Sequence, residues 1–169
     1  MLGIKIIIYS FIFLTSSGIG MLISKRYEER VNELKEFKNA LNMFKTKVKF
    51  TYEPIPEIFE EISKSLDSKP GKIFKLASIN MKLVTAGEAW NMAVDTELLN
   101  INEEDKSILK NLSKLLGQTD VEGQINQIDL TNNFLDEQIK KAENDRAKSE
   151  KLYRTLGMII GLAIVIILM

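Results

Sequence analysis

The sequence predicts an all-α protein: a cytoplasmic bundle of about six helices between an N-terminal and a C-terminal transmembrane helix. Three observations predict it. Residues 24–154 carry apolar side chains at intervals of three and four, with no alternating strand pattern of any length. Proline, glycine and capping residues fall between these periodic stretches. Each end of the chain is an apolar run with cations crowded on the flank that faces the middle.

Residues 1–23, MLGIKIIIYSFIFLTSSGIGMLI, hold one charged side chain, Lys5, and Ile4 to Ile23 has the roughly 20-residue length of a bilayer-spanning helix. The competing reading is a cleaved signal peptide, with Ile6 to Leu14 as its apolar region and Ser16 and Gly18 before the cut. Lys25, Arg26, Arg30, Lys35 and Lys38 follow, and positive flanks stay in the cytoplasm, so the N-terminus faces outward. Residues 155–169 end the chain in LGMIIGLAIVIILM, preceded by Lys140, Lys141, Arg146, Lys148, Lys151 and Arg154, which gives the same orientation. A buried core helix is the alternative there. Ser16 and Gly20, and Gly157 and Gly161, are small residues four apart, the spacing that lets membrane helices approach closely. The two spans are expected to pack on each other, on a partner or in a homo-oligomer through these faces.

Within residues 24–154, Val31, Leu34, Phe37, Leu41, Phe44 and Val48 form one apolar stripe on a first helix that continues the membrane span. Tyr52, Pro54 and Pro56 end it, because proline lacks an amide hydrogen and pushes the preceding residue out of the α region. A short second helix from Glu57 buries Ile58, Phe59, Ile62 and Leu66. Asp67, Ser68, Pro70 and Gly71 mark a loop, and a third helix runs from Lys72 to Val84 with Ile79, Met81 and Leu83 counted on its apolar side. Thr85 and Glu88 have the spacing of a capping box for a fourth helix to about Leu99 that carries Trp90, the chain's one tryptophan. Trp90 reads as a core or groove anchor, or as a partner hot spot. Asn102 opens a fifth helix with Glu103, Glu104 and Asp105 at its positive end.

The stretch LLGQTDVEGQ, Leu115 to Gln124, frames five residues between glycines. A phosphate loop needs four, then Lys and Ser or Thr, whereas Gln124 follows Gly123 here. The stretch is instead a hinge: Gly117 ends one helix in the left-handed conformation, and Thr119 with Glu122 caps the next. That sixth helix, with Val121, Ile125, Ile128, Leu135, Ile139 and Ala142 at three- and four-residue spacing, extends about 52 Å from Asp120 to Arg154 before the last span continues it. Gly123 costs it stability unless a close approach requires glycine.

Lys plus Arg and Asp plus Glu both number 23, so no overall field recruits nucleic acid. The absence of Cys and His removes thiolate and imidazole chemistry, disulfides and the usual zinc sites, and no cofactor or metal is expected. Only carboxylates remain; Glu57 and Glu61, on one helix face, are the candidates for a metal-dependent hydrolase, with a solvated face as the plainer reading. A signalling relay through the long helices is a further alternative.

Two terminal spans around a helical domain, YEPIPE at Tyr52 to Glu57, the triplet Glu88-Ala89-Trp90, LGQTDVEGQ at Leu116 to Gln124 and the closing YRTLGMIIGLAIVIILM resemble the stage III sporulation protein AB family over the whole chain. The chain departs from that pattern at Lys47 to Lys49, basic where a Glu is expected. The resemblance implies a non-catalytic subunit of a complex that links mother cell and forespore in endospore-forming bacteria. It also implies a fold similar to the cytoplasmic domain of the type II secretion inner-membrane platform protein, residence in the mother-cell membrane facing the forespore, and two kinds of partner: a cytoplasmic ATPase of the same operon and other channel subunits. Thr119, Asp120, Gln124, Trp90, Tyr52, Pro54 and Pro56 are the expected partner contacts.

Overall fold

The computed structural model describes the backbone of residues 2–51 and 53–168; before Leu22 and after Ser149 only some side chains are described. The order is α1 (Leu2–Phe50), α2 (Ile55–Ser65), α3 (Lys69–Asn80), α4 (Ala86–Thr96), α5 (Glu103–Asn111), a 3-10 turn (Leu112–Lys114) and α6 (Val121–Leu168). No strand occurs among the described residues, and the fold is all-helical as the periodicity predicts. The chain divides into two compact units, Met1–Val31 with Lys141–Met169, and Asn32–Lys140.

In the larger unit, α1 contributes Leu34, Phe37, Leu41, Phe44 and Val48 to the core, every one read correctly from spacing. Burying such side chains is worth about 1.5–3 kcal/mol each, which lets helices too short to stand alone persist here. Four aromatic rings form the centre: Phe59 lies 5.0 Å from Phe44, 4.8 Å from Phe74 and 5.7 Å from Trp90, all edge-to-face. Trp90 is fully buried and its indole N–H donates to the Leu109 carbonyl at 2.7 Å, which satisfies its polar group and ties α4 to α5. Asp95 reinforces that tie, accepting from Lys106 at 2.8 Å and Lys110 at 2.6 Å; the two hydrogen bonds hold its carboxyl below the usual carboxylate range.

α1 and α6 pair antiparallel. Within the larger unit Lys38 meets Asp136 at 2.5 Å, Asn42 accepts from Asn132 at 3.0 Å, and Lys45 meets Asp129 at 2.6 Å. Each step up α1 is thus matched by an equal step down α6. Within the smaller unit Arg30 meets Asp145 at 3.1 Å, Glu28 accepts from Arg146 at 3.2 Å, and the rings of Tyr27 and Tyr153 stack 6.2 Å apart.

Several boundaries differ from the sequence expectation. α3 starts at Lys69, because the Ser68 hydroxyl accepts from the Gly71 amide at 3.4 Å and Pro70 sits in the first turn, where its missing N–H is no loss. Gly71 is therefore helical, and a Cβ there would collide with the Leu66 carbonyl. α2 starts at Ile55 after Pro54, without a side-chain cap bond, and Pro56 likewise sits in the first turn. α3 stops at Asn80, so Leu83 falls beyond it and is exposed; Ile79, in its last turn, is exposed as well instead of interior, and α4 stops at Thr96. Leu115 is exposed, and so is Val121, the first apolar residue of the sixth helix's three- and four-residue spacing.

Both terminal apolar runs are helical within α1 and α6. Among the described residues no helix is long and apolar enough to cross a membrane, and most side chains of the two runs lie outside that set.

Candidate functional site

The segments singled out in the sequence, the proline turn and the LGQTDVEGQ hinge, come together at one end of the larger unit. α1 closes with the Thr51 amide donating to the Lys47 carbonyl at 2.9 Å. Pro54 then caps α2 in an extended conformation, φ −60° and ψ 142°, and its carbonyl accepts from the Glu57 amide at 3.0 Å. Pro54 is exposed and Pro56 half-buried, while Tyr52 lies outside the described residues.

Gly117 adopts φ +73°, the left-handed conformation expected of it. A Cβ at Gly117 would lie 3.2 Å from Ala86 Cβ and 3.6 Å from Ile55 Cδ1, so the hinge is laid against the first residues of both α4 and α2. Close packing continues at Gly87, where a Cβ would stand 2.5 Å from the Ser113 carbonyl oxygen. From α6, Gln124 donates to the Leu115 carbonyl at 2.7 Å and Gln127 to the Asn111 carbonyl at 2.9 Å. The N-termini of α2, α4 and α6 thus share one end of the bundle.

The cap of α6 is Asp120, and this corrects the expected Thr119–Glu122 box. Asp120 Oδ1 accepts from the Gly123 amide at 2.8 Å, and Thr119 only approaches that same oxygen at 3.4 Å. Gly123 has its close approach: a Cβ would strike the Thr119 side chain. The box at α4 forms as expected, with Thr85 and Glu88 bonded both ways, and the Thr85 hydroxyl, then its amide, hold the Glu88 carboxyl below its ordinary range. Asn102 and Asp105 form a second box at α5.

Asp120 is exposed and Thr119 half-buried, so both face outward in part, whereas Gln124 is 5 % exposed and serves to fasten the hinge. Trp90, with no exposed surface, is a core anchor in this fold and offers nothing to a partner. Lys47 is engaged by Glu53 at 3.4 Å and by Glu61; the Glu61 hydrogen bond chiefly, with Glu53 adding, raises its ammonium above the usual lysine range. Glu61 is thus tied to a cation, and among the described residues no group of three or more His, Cys, Asp or Glu is placed to hold a metal ion. Apolar surface here was missed by the sequence reading: Phe50 is 67 % exposed beside a groove of about 460 Å³ that Met43 and Ile62 also line. A lone aromatic in the last turn before a proline turn was its signal. The side chains of Ser16, Gly20, Gly157 and Gly161 lie outside those described.

Comparison with known proteins places this geometry. Stage III sporulation protein AB of Bacillus subtilis (strain 168) is 24% identical over 163 residues, spanning 94% of this chain and 95% of the relative. A solved structure of stage III sporulation protein AB (SpoIIIAB) matches with a TM-score of 0.66 at 20% identity, over 71% of this chain and 98% of the solved one, a likeness that speaks for the fold. The family profile described as Stage III sporulation protein AB matches residues 5–169, so the chain belongs to the stage III sporulation protein AB family.

Proposed function

We propose that the chain is a non-catalytic inner-membrane platform subunit of a sporulation channel or secretion-like complex that links mother cell and forespore, and that its helical bundle couples that complex to a cytoplasmic ATPase. Family membership supports the sporulation role. The observation that carries the coupling is the bundle end itself, where three helix starts and the hinge are locked by Gly117, Gly87 and Gln124 into a rigid, partly apolar surface. Docking surfaces gain affinity from such preorganisation, because little loop entropy is lost on binding. The two apolar runs with inward-flanking cations support spans at residues 1–23 and 155–169, with the bulk of the chain cytoplasmic and both termini on the outer side of the mother-cell membrane. Ser16, Gly20, Gly157 and Gly161 would then be the packing faces of the spans, toward each other or in a homo-oligomer.

The experiment is isolation of the tagged full chain from sporulating cells. Recovery of a cytoplasmic ATPase together with envelope channel subunits is expected. Recovery of neither overturns the platform reading and returns attention to a signalling relay.

A further inference from the structure

We infer that the bundle end takes a partner through an apolar segment bearing lysine or arginine, and not through phosphate or acidic side chains; this rests on the proposed docking role of the same face. Helix N-termini ordinarily attract anions, because their first amides lack partners and carry the positive end of the dipole. At this end each start already carries its own carboxylate in the first turn: Glu57 in α2, Glu88 in α4 and Glu122 in α6. Two amides that an anion would seek are already engaged, Glu88 N by the Thr85 hydroxyl at 3.3 Å and Gly123 N by Asp120 at 2.8 Å. In α2 the proline at the first turn has no amide hydrogen at all.

What the three starts turn outward is carboxylate oxygen. Glu57, Glu88, Asp120 and Glu122 are all exposed. None of the four is paired with a lysine or arginine among the ion pairs of the described residues; Lys47, at the end of α1, is engaged by Glu53 and Glu61 instead. On either side of the hinge, Leu115 is 40% and Val121 44% exposed. Phosphate or an acidic peptide would meet like charge here and find these donors taken. A lysine or arginine would gain charge-assisted hydrogen bonds, while its aliphatic stem covers Val121 and Leu115.

The test uses the full chain in sporulating cells with Val121→p-benzoylphenylalanine, whose photoadduct reports whether this end touches a protein at all. Carbodiimide treatment of the same complex then joins carboxylates to amines in contact, read by mass spectrometry. The expected result is an adduct at position 121, carbodiimide links from Glu57 or Glu122 to lysines of that partner, and a roughly tenfold loss of adduct in Glu57→Lys/Glu122→Lys or at about 0.5 M salt. Among the described residues neither glutamate side chain bonds to another, so their reversal leaves the caps in place. An adduct that forms but is indifferent to reversal and salt, without carboxylate–amine links, overturns this inference and leaves the docking face standing. No adduct at position 121 overturns both.

Discussion

Gly117 shows how one residue sets the shape of the bundle end. With φ at +73° it occupies a region where a Cβ meets the following carbonyl, and its neighbours Ala86 and Ile55 leave 3.2 and 3.6 Å for any added carbon. Gly117→Ala is expected to lower stability by about 1–2 kcal/mol. Gly117→Asn should lose less, since asparagine tolerates the left-handed region, and urea midpoints of the full chain in detergent measure the difference. An Asn variant as unstable as the Ala variant would assign the cost to crowding by Ala86 and not to the backbone. Gly123 is the contrasting case: in a helix, alanine is ordinarily favoured over glycine by about 1 kcal/mol, but a Cβ at Gly123 would meet the side chain of Thr119.

At the scale of elements, Trp90 decides whether α2 to α5 cohere. Its ring lies 5.1 Å from Phe74 and its N–H holds the Leu109 carbonyl, so Trp90→Ala removes ring contacts and a buried bond together. The expected loss is about 3–5 kcal/mol, a large part of the ~5–15 kcal/mol that holds a typical domain. Trp90→Phe keeps a ring and removes only the indole donor, since the Leu109 carbonyl retains the Leu112 amide, for about 0.5–1.5 kcal/mol. Near-ultraviolet circular dichroism and denaturation midpoints report both. An Ala variant that keeps its midpoint would show that the tryptophan is not the centre of this core. Such elements were legible because their core faces are apolar at helical spacing, as along α1. The buried face of α6 was read less well: Gln124, Thr131 and Gln138, seven residues apart, are all buried, while Val121 at its start is exposed. Apolar periodicity cannot see a polar column, and it cannot see that Gln124 is needed at the Leu115 carbonyl. The bundle end was half legible. Gly117 and the prolines were found from backbone chemistry, but the approach of Gly117 to Ala86 and Ile55 depends on packing between segments far apart in the chain.

For the whole molecule the decisive question is which side of a membrane each part occupies, and the composition supplies a clean probe. The chain has no cysteine, so one introduced thiol is the only thiol. Gly3→Cys lies just ahead of Ile4, where the bilayer-length stretch begins, and Lys72→Cys lies at an exposed position of α3. If basic flanks set orientation, an impermeant maleimide added to intact protoplasts labels Gly3→Cys, and reaches Lys72→Cys only after permeabilisation. Labelling Lys72→Cys from outside would invert the proposed topology and remove any cytoplasmic ATPase from reach of the bundle. A mature chain that has lost the Gly3→Cys thiol, with α3 still attached, would instead identify a cleaved signal peptide with Ile6 to Leu14 as its apolar region and Ser16 and Gly18 before the cut. The bundle would then hang from residues 155–169 alone, and Ser16, lost with the peptide, could have no part in packing. Lys25, Arg26 and Arg30 oppose that outcome, because translocating them across the membrane runs against the positive-inside preference that also fixes the C-terminal run.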